Sequence, residues 1–286
     1  MKYLASLLFV SCVAILAFTS STTSNETANI DPAKDWKLGI ALWTFHTFNM
    51  EEAMSKVDSA GVKWIEPNTF HKSGPELKDT MLMQLSPAGI VKLKSIIAQK
   101  GLNCESIYIG GGATVDSWKK QFEIAKLMGV RFVTTEPPLN MWDSIDSLAG
   151  IYGIKVAIHE HWAGFSHYWN PDTTLMAIKG HKNFGVCADL GHWPKSGVNP
   201  LDAIKKLSGH IIAIHLKDIA AYNNTKLVDV PLGTGVVDFP AIFRELKKQG
   251  FKGPIYMERD AVDLPSNLPS VIQGAKYYNE QIAKLK

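Results

Sequence analysis

Short apolar runs alternate with longer stretches in which apolar residues recur every three or four positions, along most of the chain. Eight runs read as buried strands: KLGIALWTF, VKWIEPN, LNCESIYIG, VRFVTTEPP, KVAIHEHW, FGVCADLGHW, IIAIHLKD and GPIYMERD. Between them lie helix candidates such as MEEAMSKVDSAG, SPAGIVKLKSIIAQKG, SWKKQFEIAKLMG, NPLDAIKKLSG and FPAIFRELKKQG. Ser86 and Asn199 precede Pro87 and Pro200 as start signals, and Gly61, Gly101, Gly129 and Gly250 follow last turns. In the second of these helices Ile90, Leu93, Ile96 and Ile97 share one face. Only LNMWDSIDSLAGIYG separates the fourth and fifth strands, which predicts a short helix there.

Strands alternating with helices predict an α/β fold with a parallel sheet, and eight such units predict a closed (β/α)8 TIM barrel. A doubly wound open sheet is the alternative. The start of the chain has another pattern: Lys2, an apolar run from Leu4 to Phe18, then TSSTTSNETAN. These features predict a signal peptide over residues 1–22 and a flexible Ser/Thr-rich segment over 23–35, ahead of a single barrel domain over 36–286. The expectation is an exported, periplasmic protein. A lipid anchor on Cys12 is disfavoured, because the apolar run continues past it through Val13–Leu16. No other stretch has the roughly 20 apolar residues that a membrane span needs.

Composition narrows the picture. The 46% of hydrophobic residues supports a large core. Setting Lys2 aside from 30 basic residues leaves 29 against 27 acidic ones, with no basic stripe, so nucleic acid is excluded as a partner. Cys104 and Cys187 sit in strand-like runs and read as free, buried thiols. Nothing in the pattern decides between a monomer and a homo-oligomer.

Almost every strand is apolar at its start and polar at its finish. The finishing residues are Glu66, Glu136, His159 and His161, Asp189 with His192 beyond it, His215 and Lys217, and Glu258. In a barrel these ends open on one rim, where catalytic groups of this fold gather. Period-2 alternation turns Ala213, His215 and Lys217 into the lumen, and likewise Ala157, His159 and His161; Ile158, Glu160 and Trp162 turn outward. Glu160 then supports the site from behind. Carboxylates and a neutral imidazole around one point suit Mn²⁺, Mg²⁺, Co²⁺ or Zn²⁺, not a four-cysteine zinc site. Such a cation relieves the repulsion among the carboxylates and polarises a carbonyl or hydroxyl.

With these residues in place the chain resembles the xylose isomerase-like barrel superfamily, the sugar phosphate isomerase/epimerase group. The resemblance is carried by GVKWIEP, KVAIHEHW, CADLGHW, IHLKD, VPLGTGVVDF and IYMERD. It implies one divalent ion bound by Asp189, His215 and Glu258, with a fourth ligand from strand five. There His159 stands where ketose epimerases of the group carry a catalytic glutamate. The fourth ligand is therefore left open between His159 and Glu136 of strand four. The related abasic-site endonuclease needs an Asp-x-His after strand seven, where LVDVPLG stands instead, so a nuclease is disfavoured.

The expected activity is removal of a proton next to a carbonyl of a non-phosphorylated sugar, giving isomerisation or epimerisation. Glu258, Glu136 and His159 are the catalytic candidates. Elimination from a 3-keto-glycoside on the same site is the alternative, and a non-catalytic carbohydrate-binding barrel is the alternative of another class. Glu66, His161, His192, Lys217 and Trp162 are expected to contact substrate, Glu66 as a hydroxyl acceptor or as the partner of Lys217. Trp43, Phe45, Phe165, Trp169 and Trp193 also fall near strand ends, where aromatic walls suit the apolar faces of a sugar. GGGATV lacks the lysine and spacing of a phosphate-binding loop and reads as a flexible turn.

Overall fold

The computed structural model describes residues 32–285. The predicted signal peptide and most of the Ser/Thr-rich segment lie outside the described residues. Pro32–Asp35 already forms a 3-10 turn. The Trp36 indole donates to the Phe251 carbonyl oxygen at 2.7 Å, tying this entry to the barrel wall.

The strands are β1 (Lys37–Ala41), β2 (Trp64–Glu66), β3 (Asn103–Cys104), β4 (Ser106–Tyr108), β5 (Phe132–Thr135), β6 (Lys155–Ile158), β7 (Phe184–Asp189), β8 (Ile211–Leu216), β9 (Asp218–Ile219), β10 (Asp229–Val230) and β11 (Pro254–Met257). In the main sheet they run β3-β2-β1-β11-β8-β7-β6-β5-β4, all parallel. The two ends of this order, β3 and β4, are halves of one run interrupted at Glu105. An Asn68–Tyr108 bridge closes the gap, so the sheet is a barrel of eight staves and the open-sheet alternative falls.

The helices are α1 (Met50–Ser59), α2 (Pro87–Gln99), α3 (Val115–Met128), α4 (Trp142–Tyr152), α5 (Pro171–Ile178), α6 (His192–Lys195), α7 (Pro200–Lys206), α8 (Phe239–Lys248) and α9 (Leu268–Ala283). Ser86 and Asn199 cap α2 and α7 through their side chains, and the four terminating glycines have φ of +64° to +70° and +75°. One expectation fails in the fourth unit. Its helix α4 has 11 residues, more than α1 or α8, because the 3-10 turn Leu139–Met141 feeds straight into it. The shortened unit instead follows β7, where α6 has 4 residues and α7 has 7. No helix among the described residues is long and apolar enough to cross a membrane.

Two apolar layers form. Outward strand residues such as Ile40, Val156, Ile158, Ile214 and Leu216 join the helices in one continuous core. The lumen floor is filled by Ala41, Phe132, Ala157, Cys187, Ala213 and Tyr256. Small residues opposite Phe132 and Tyr256 let those two rings occupy the axis, and the Ser106 hydroxyl donates to the buried Tyr256 hydroxyl at 2.8 Å. Cys187 is buried, Cys104 is partly exposed, and both are free.

Candidate functional site

Two residues beyond the floor, the same alternation brings titratable groups inward. Asp189 follows lumen-facing Cys187 by two, His215 follows Ala213, His159 follows Ala157, and Glu258 follows Tyr256. Ligand atoms of His159, Asp189, His215 and Glu258 lie within 4.8 Å of one another, and all four residues are buried. Two nitrogens and two carboxylates are a donor set suited to a divalent cation.

Local hydrogen bonds fix which atom of each residue faces the centre. The Asp189 Oδ1 accepts from the Gly191 and His192 amides at 2.9 and 3.1 Å, leaving Oδ2 toward the cluster. Glu160 Oε1 accepts from the Asp189 amide at 2.8 Å, the supporting role expected of it. Burial pushes the Glu160 carboxyl well above the usual range, and neighbouring Asp189 adds to the shift. His215 Nε2 meets Glu66 Oε2 at 2.7 Å and Nδ1 meets Glu258 Oε2 at 3.0 Å. Glu66 also accepts from Thr134 Oγ1 at 2.6 Å. A carboxylate behind an imidazole fixes its tautomer and orientation, the usual support of a metal-binding histidine.

The fit to a cation rests on atoms left over. His159 Nδ1 and Nε2 and Asp189 Oδ2 are buried without a hydrogen-bond partner among the described residues. Buried polar atoms left unpaired are costly, and a shared cation satisfies them. The nearest positive charge is Lys217, whose Nζ lies 3.1 Å from Asp189 Oδ2, 3.1 Å from Glu258 Oε2 and 3.0 Å from Asp260 Oδ2. Burial raises the Glu258 carboxyl, but Lys217 and His215 outweigh it and hold the group well below the usual range. Gly191 makes room for this lysine, since a Cβ there would come within 2.6 Å of Lys217 Cγ.

Beside the cluster lies a second group. Glu136, His159 and His161 also bring ligand-type atoms within 4.8 Å of one another. Glu136 Oε1 pairs with His161 Nδ1, and Ser166 Oγ donates to Glu136 Oε2 at 2.5 Å. Burial raises the Glu136 carboxyl, but His159 and His161 beside it prevail and bring it down to about 2. The fourth corner of the first group is thus occupied by His159, while Glu136, proposed from sequence as a ligand, sits one step higher against His161. The cause is local: β5 ends at Thr135, and Pro137 and Pro138 turn the chain out onto the rim.

Above both groups opens a cavity of about 740 Å³, within the size range of small-molecule pockets. Glu136, His159, His161, Lys217 and Glu258 face it from below, and Trp43, Phe70, Tyr108, Trp162 and Phe165 form its sides. Trp162 faces the cavity despite its expected outward direction, because β6 ends at Ile158 and alternation no longer governs the loop. Two expected substrate contacts do not reach the cavity. Glu66 is fully buried beneath His215, and its partner is that histidine, not Lys217. His192 is fully buried with Nε2 3.0 Å from Lys217 Nζ. Among the expected rim aromatics, Phe45 and Trp193 are core residues, and Trp169 does not line the cavity.

Sequence reading missed several contributors, Phe70 and Lys195 of the cavity lining among them. Tyr108 ends β4 and meets His159 edge to face at 5.6 Å; its place in SIY, on the same lumen face as Ser106, was the available signal. Asp260 and Ser166 come from loops and had none. The motifs IHLKD and VPLGTGVVDF prove to be one structural device. Asp218 accepts from the Ile219, Gly233, Gly235 and Val237 amides at 2.9 to 3.2 Å, so the glycine-rich loop wraps the chain's own carboxylate. A Cβ on Gly235 would fall 2.3 Å from Asp218 Oδ1.

The xylose isomerase-like TIM barrel family model matches residues 54–286. The chain belongs to this family. Among curated relatives, it is 28% identical to an inosose dehydratase of Clostridium botulinum over 158 residues, which is 50% of this chain and 53% of that protein. It is 33% identical to the L-ribulose-5-phosphate 3-epimerase UlaE of Shigella flexneri over 123 residues, 42% of this chain and 38% of that one. The chain thus spans about half or less of the length of these relatives. Among solved structures, the IOLI protein with a bound zinc atom superposes with a TM-score of 0.72 at 18% identity, covering 87% of this chain and 99% of that one.

Proposed function

We propose that the protein is a divalent-metal-dependent enzyme that moves a proton next to a carbonyl of a non-phosphorylated keto-sugar, as an isomerase or epimerase. The observation that carries this reading is the buried convergence of His159, Asp189, His215 and Glu258 within 4.8 Å at the foot of an aromatic-walled cavity. The relatives named above, a sugar-phosphate epimerase, an inosose dehydratase and a zinc-bearing barrel, support metal-dependent chemistry on a sugar by similarity.

The four residues would hold one divalent ion, which supplies positive charge to adjacent carbonyl and hydroxyl oxygens of the sugar. His161 is the best-suited proton carrier. Its Nδ1 is engaged by Glu136 and its ring faces the cavity, so Nε2 is directed to substrate in a fixed tautomer. Glu136 stays ionised and orients that ring, with Ser166 holding its other oxygen. Glu258 and His159, the other candidates from sequence, suit the role less. Glu258 is tied to Lys217 and His215, and His159 is buried between Asp189 and Glu136.

The lining offers a phosphate few free cations. No arginine borders the cavity among the described residues, Lys217 is saturated by three carboxylates, and Lys195 lies 4.3 Å over the Trp162 ring, which leaves Lys226 as the one lysine of the lining without such a tie. Those rings instead offer stacking surfaces and exclude water from the reacting carbon.

Elimination is the second reading, favoured by the histidine at strand five. Epimerisation at one carbon takes a proton from one face and returns it to the other, which calls for two carriers. Transfer between neighbouring carbons, or loss of a β-substituent, runs with one. Apart from His46, which stacks on Trp43 at the outer wall, His161 is the one cavity-facing imidazole among the described residues not shared with the four-residue cluster. Incubating the Mn²⁺-loaded protein with keto-sugars in heavy water tests both readings. Deuterium in an otherwise intact sugar identifies an isomerase or epimerase, and release of water or an aglycone identifies a lyase. Protein that carries the ion yet gives neither deuterium incorporation nor elimination would contradict the proposed chemistry.

A further inference from the structure

A continuous wall of rings leads outward from the cluster. His159 meets Tyr108 at 5.6 Å between centroids, Tyr108 meets Phe70 at 6.1 Å, and Phe70 meets Trp43 at 5.9 Å, each edge to face. Trp43 then stacks on His46 at 4.4 Å and 18°. The wall does not stop where the cavity stops. Phe70 and His46 also line a second hollow of about 450 Å³, on the far side of their rings. Phe70 is 37% exposed, so its ring presents surface to both spaces.

The outer hollow differs in chemistry from the inner one. Lys72 and Asp79 border it, both exposed, and neither side chain has an ion-pair or hydrogen-bond partner among the described residues. An ammonium and a carboxylate in one recess provide strong donors and acceptors for neutral hydroxyls. They do not suit an anion, which would meet the Asp79 charge as soon as it reached Lys72. An apolar ring face followed by a polar recess is the surface that a pyranose presents in negative: stacking on one face, hydroxyls around the edge.

We infer that the substrate is a glycoside of at least two sugar rings. The reacting ring sits over the His159–Glu258 cluster, and the second ring lies across Phe70 and His46 with its hydroxyls on Lys72 and Asp79. This inference rests on the sugar-site reading above and extends it outward. A single ring in contact with the cluster does not reach the outer hollow, whereas a linked second ring can use both.

The test is binding to the Mn²⁺-loaded protein, read by calorimetry. Cellobiose, maltose, lactose and trehalose are set against glucose and galactose. At least one disaccharide is expected to bind about tenfold more tightly than either monosaccharide, a difference of about 1.4 kcal/mol. The Lys72→Ala, Asp79→Asn double variant should lose most of that advantage, about fivefold, as expected for removing charged hydrogen-bond partners, while monosaccharide affinity stays within about twofold. Because both side chains are exposed, folding is not at stake, and a single Lys72→Ala variant serves as a check. If no disaccharide outbinds the monosaccharides, or if the advantage survives in the double variant, the inference is overturned. Ion content measured on the same samples separates the two failures. Protein that holds its ion but shows no disaccharide preference refutes the outer subsite alone, and protein that takes up no ion refutes the metal-site reading.

Discussion

The two ends of the same eight staves have opposite contents. At the floor Phe132 and Tyr256 fill the lumen among four small residues. At the mouth, two to four residues further along the same strands, His159, Asp189, His215, Lys217 and Glu258 occupy the axis, all buried. The backbone is equally regular in both places. The floor stabilises through burial and close packing, and it has no polar atom left over beyond the Ser106–Tyr256 pair. The mouth gathers charges of both signs, with atoms on His159 and Asp189 that make no hydrogen bond among the described residues. A barrel can carry such an end because the other end supplies the stability.

Exchange of effects between the two ends would break this comparison. The largest change in stability is expected at the floor. Phe132→Ala should cost about 3–5 kcal/mol, read by denaturant unfolding, with divalent-ion affinity of the folded fraction unchanged. A large loss of ion affinity with stability intact would mean that floor and mouth are not separable. Glu66→Gln lies between the two layers. It weakens the carboxylate behind His215, so divalent-ion affinity should fall about 10–100-fold with little change in unfolding midpoint. Unchanged affinity would leave Glu66 without the supporting role given to it.

The smallest effect sharpens the contrast. Burial pushes the Glu160 carboxyl well above its ordinary range, which favours the neutral form. Glu160→Gln preserves an acceptor for the Asp189 amide and should change stability by no more than about 0.5 kcal/mol. Glu160→Ala leaves that amide unpaired and should cost about 1–3 kcal/mol. Equal effects of the two substitutions would show that Glu160 acts as a charge.

Strand alternation made much of this legible before any coordinates. It turns His159, His215 and Lys217 inward, and it runs on without a bend to Asp189 and Glu258. It fails where its cause ends. Trp162 lies beyond the last paired residue of β6, and its direction is set by Phe165 and His192, not by the pleat. Glu66 reads as a rim acceptor because its strand ends there, yet β2 is short and the side chain stays below the rim under His215. The division of the third stave into β3 and β4 and the pairing of Lys217 with Asp260 arise from tertiary contacts alone. Asp218 and its glycine loop looked like function and serve structure.

Ion binding at the mouth is the most direct test of the account. Protein stripped with chelator and titrated with Mn²⁺ or Zn²⁺ in a calorimeter should take up one ion per chain at the cluster. Asp189→Asn should lose at least about a hundredfold in affinity while keeping the native circular dichroism spectrum, since removing a ligand exceeds the 10–100-fold effect of disturbing its support. No uptake by the wild type, or undiminished uptake by the variant, would contradict the claim that these strand ends are built around a shared cation.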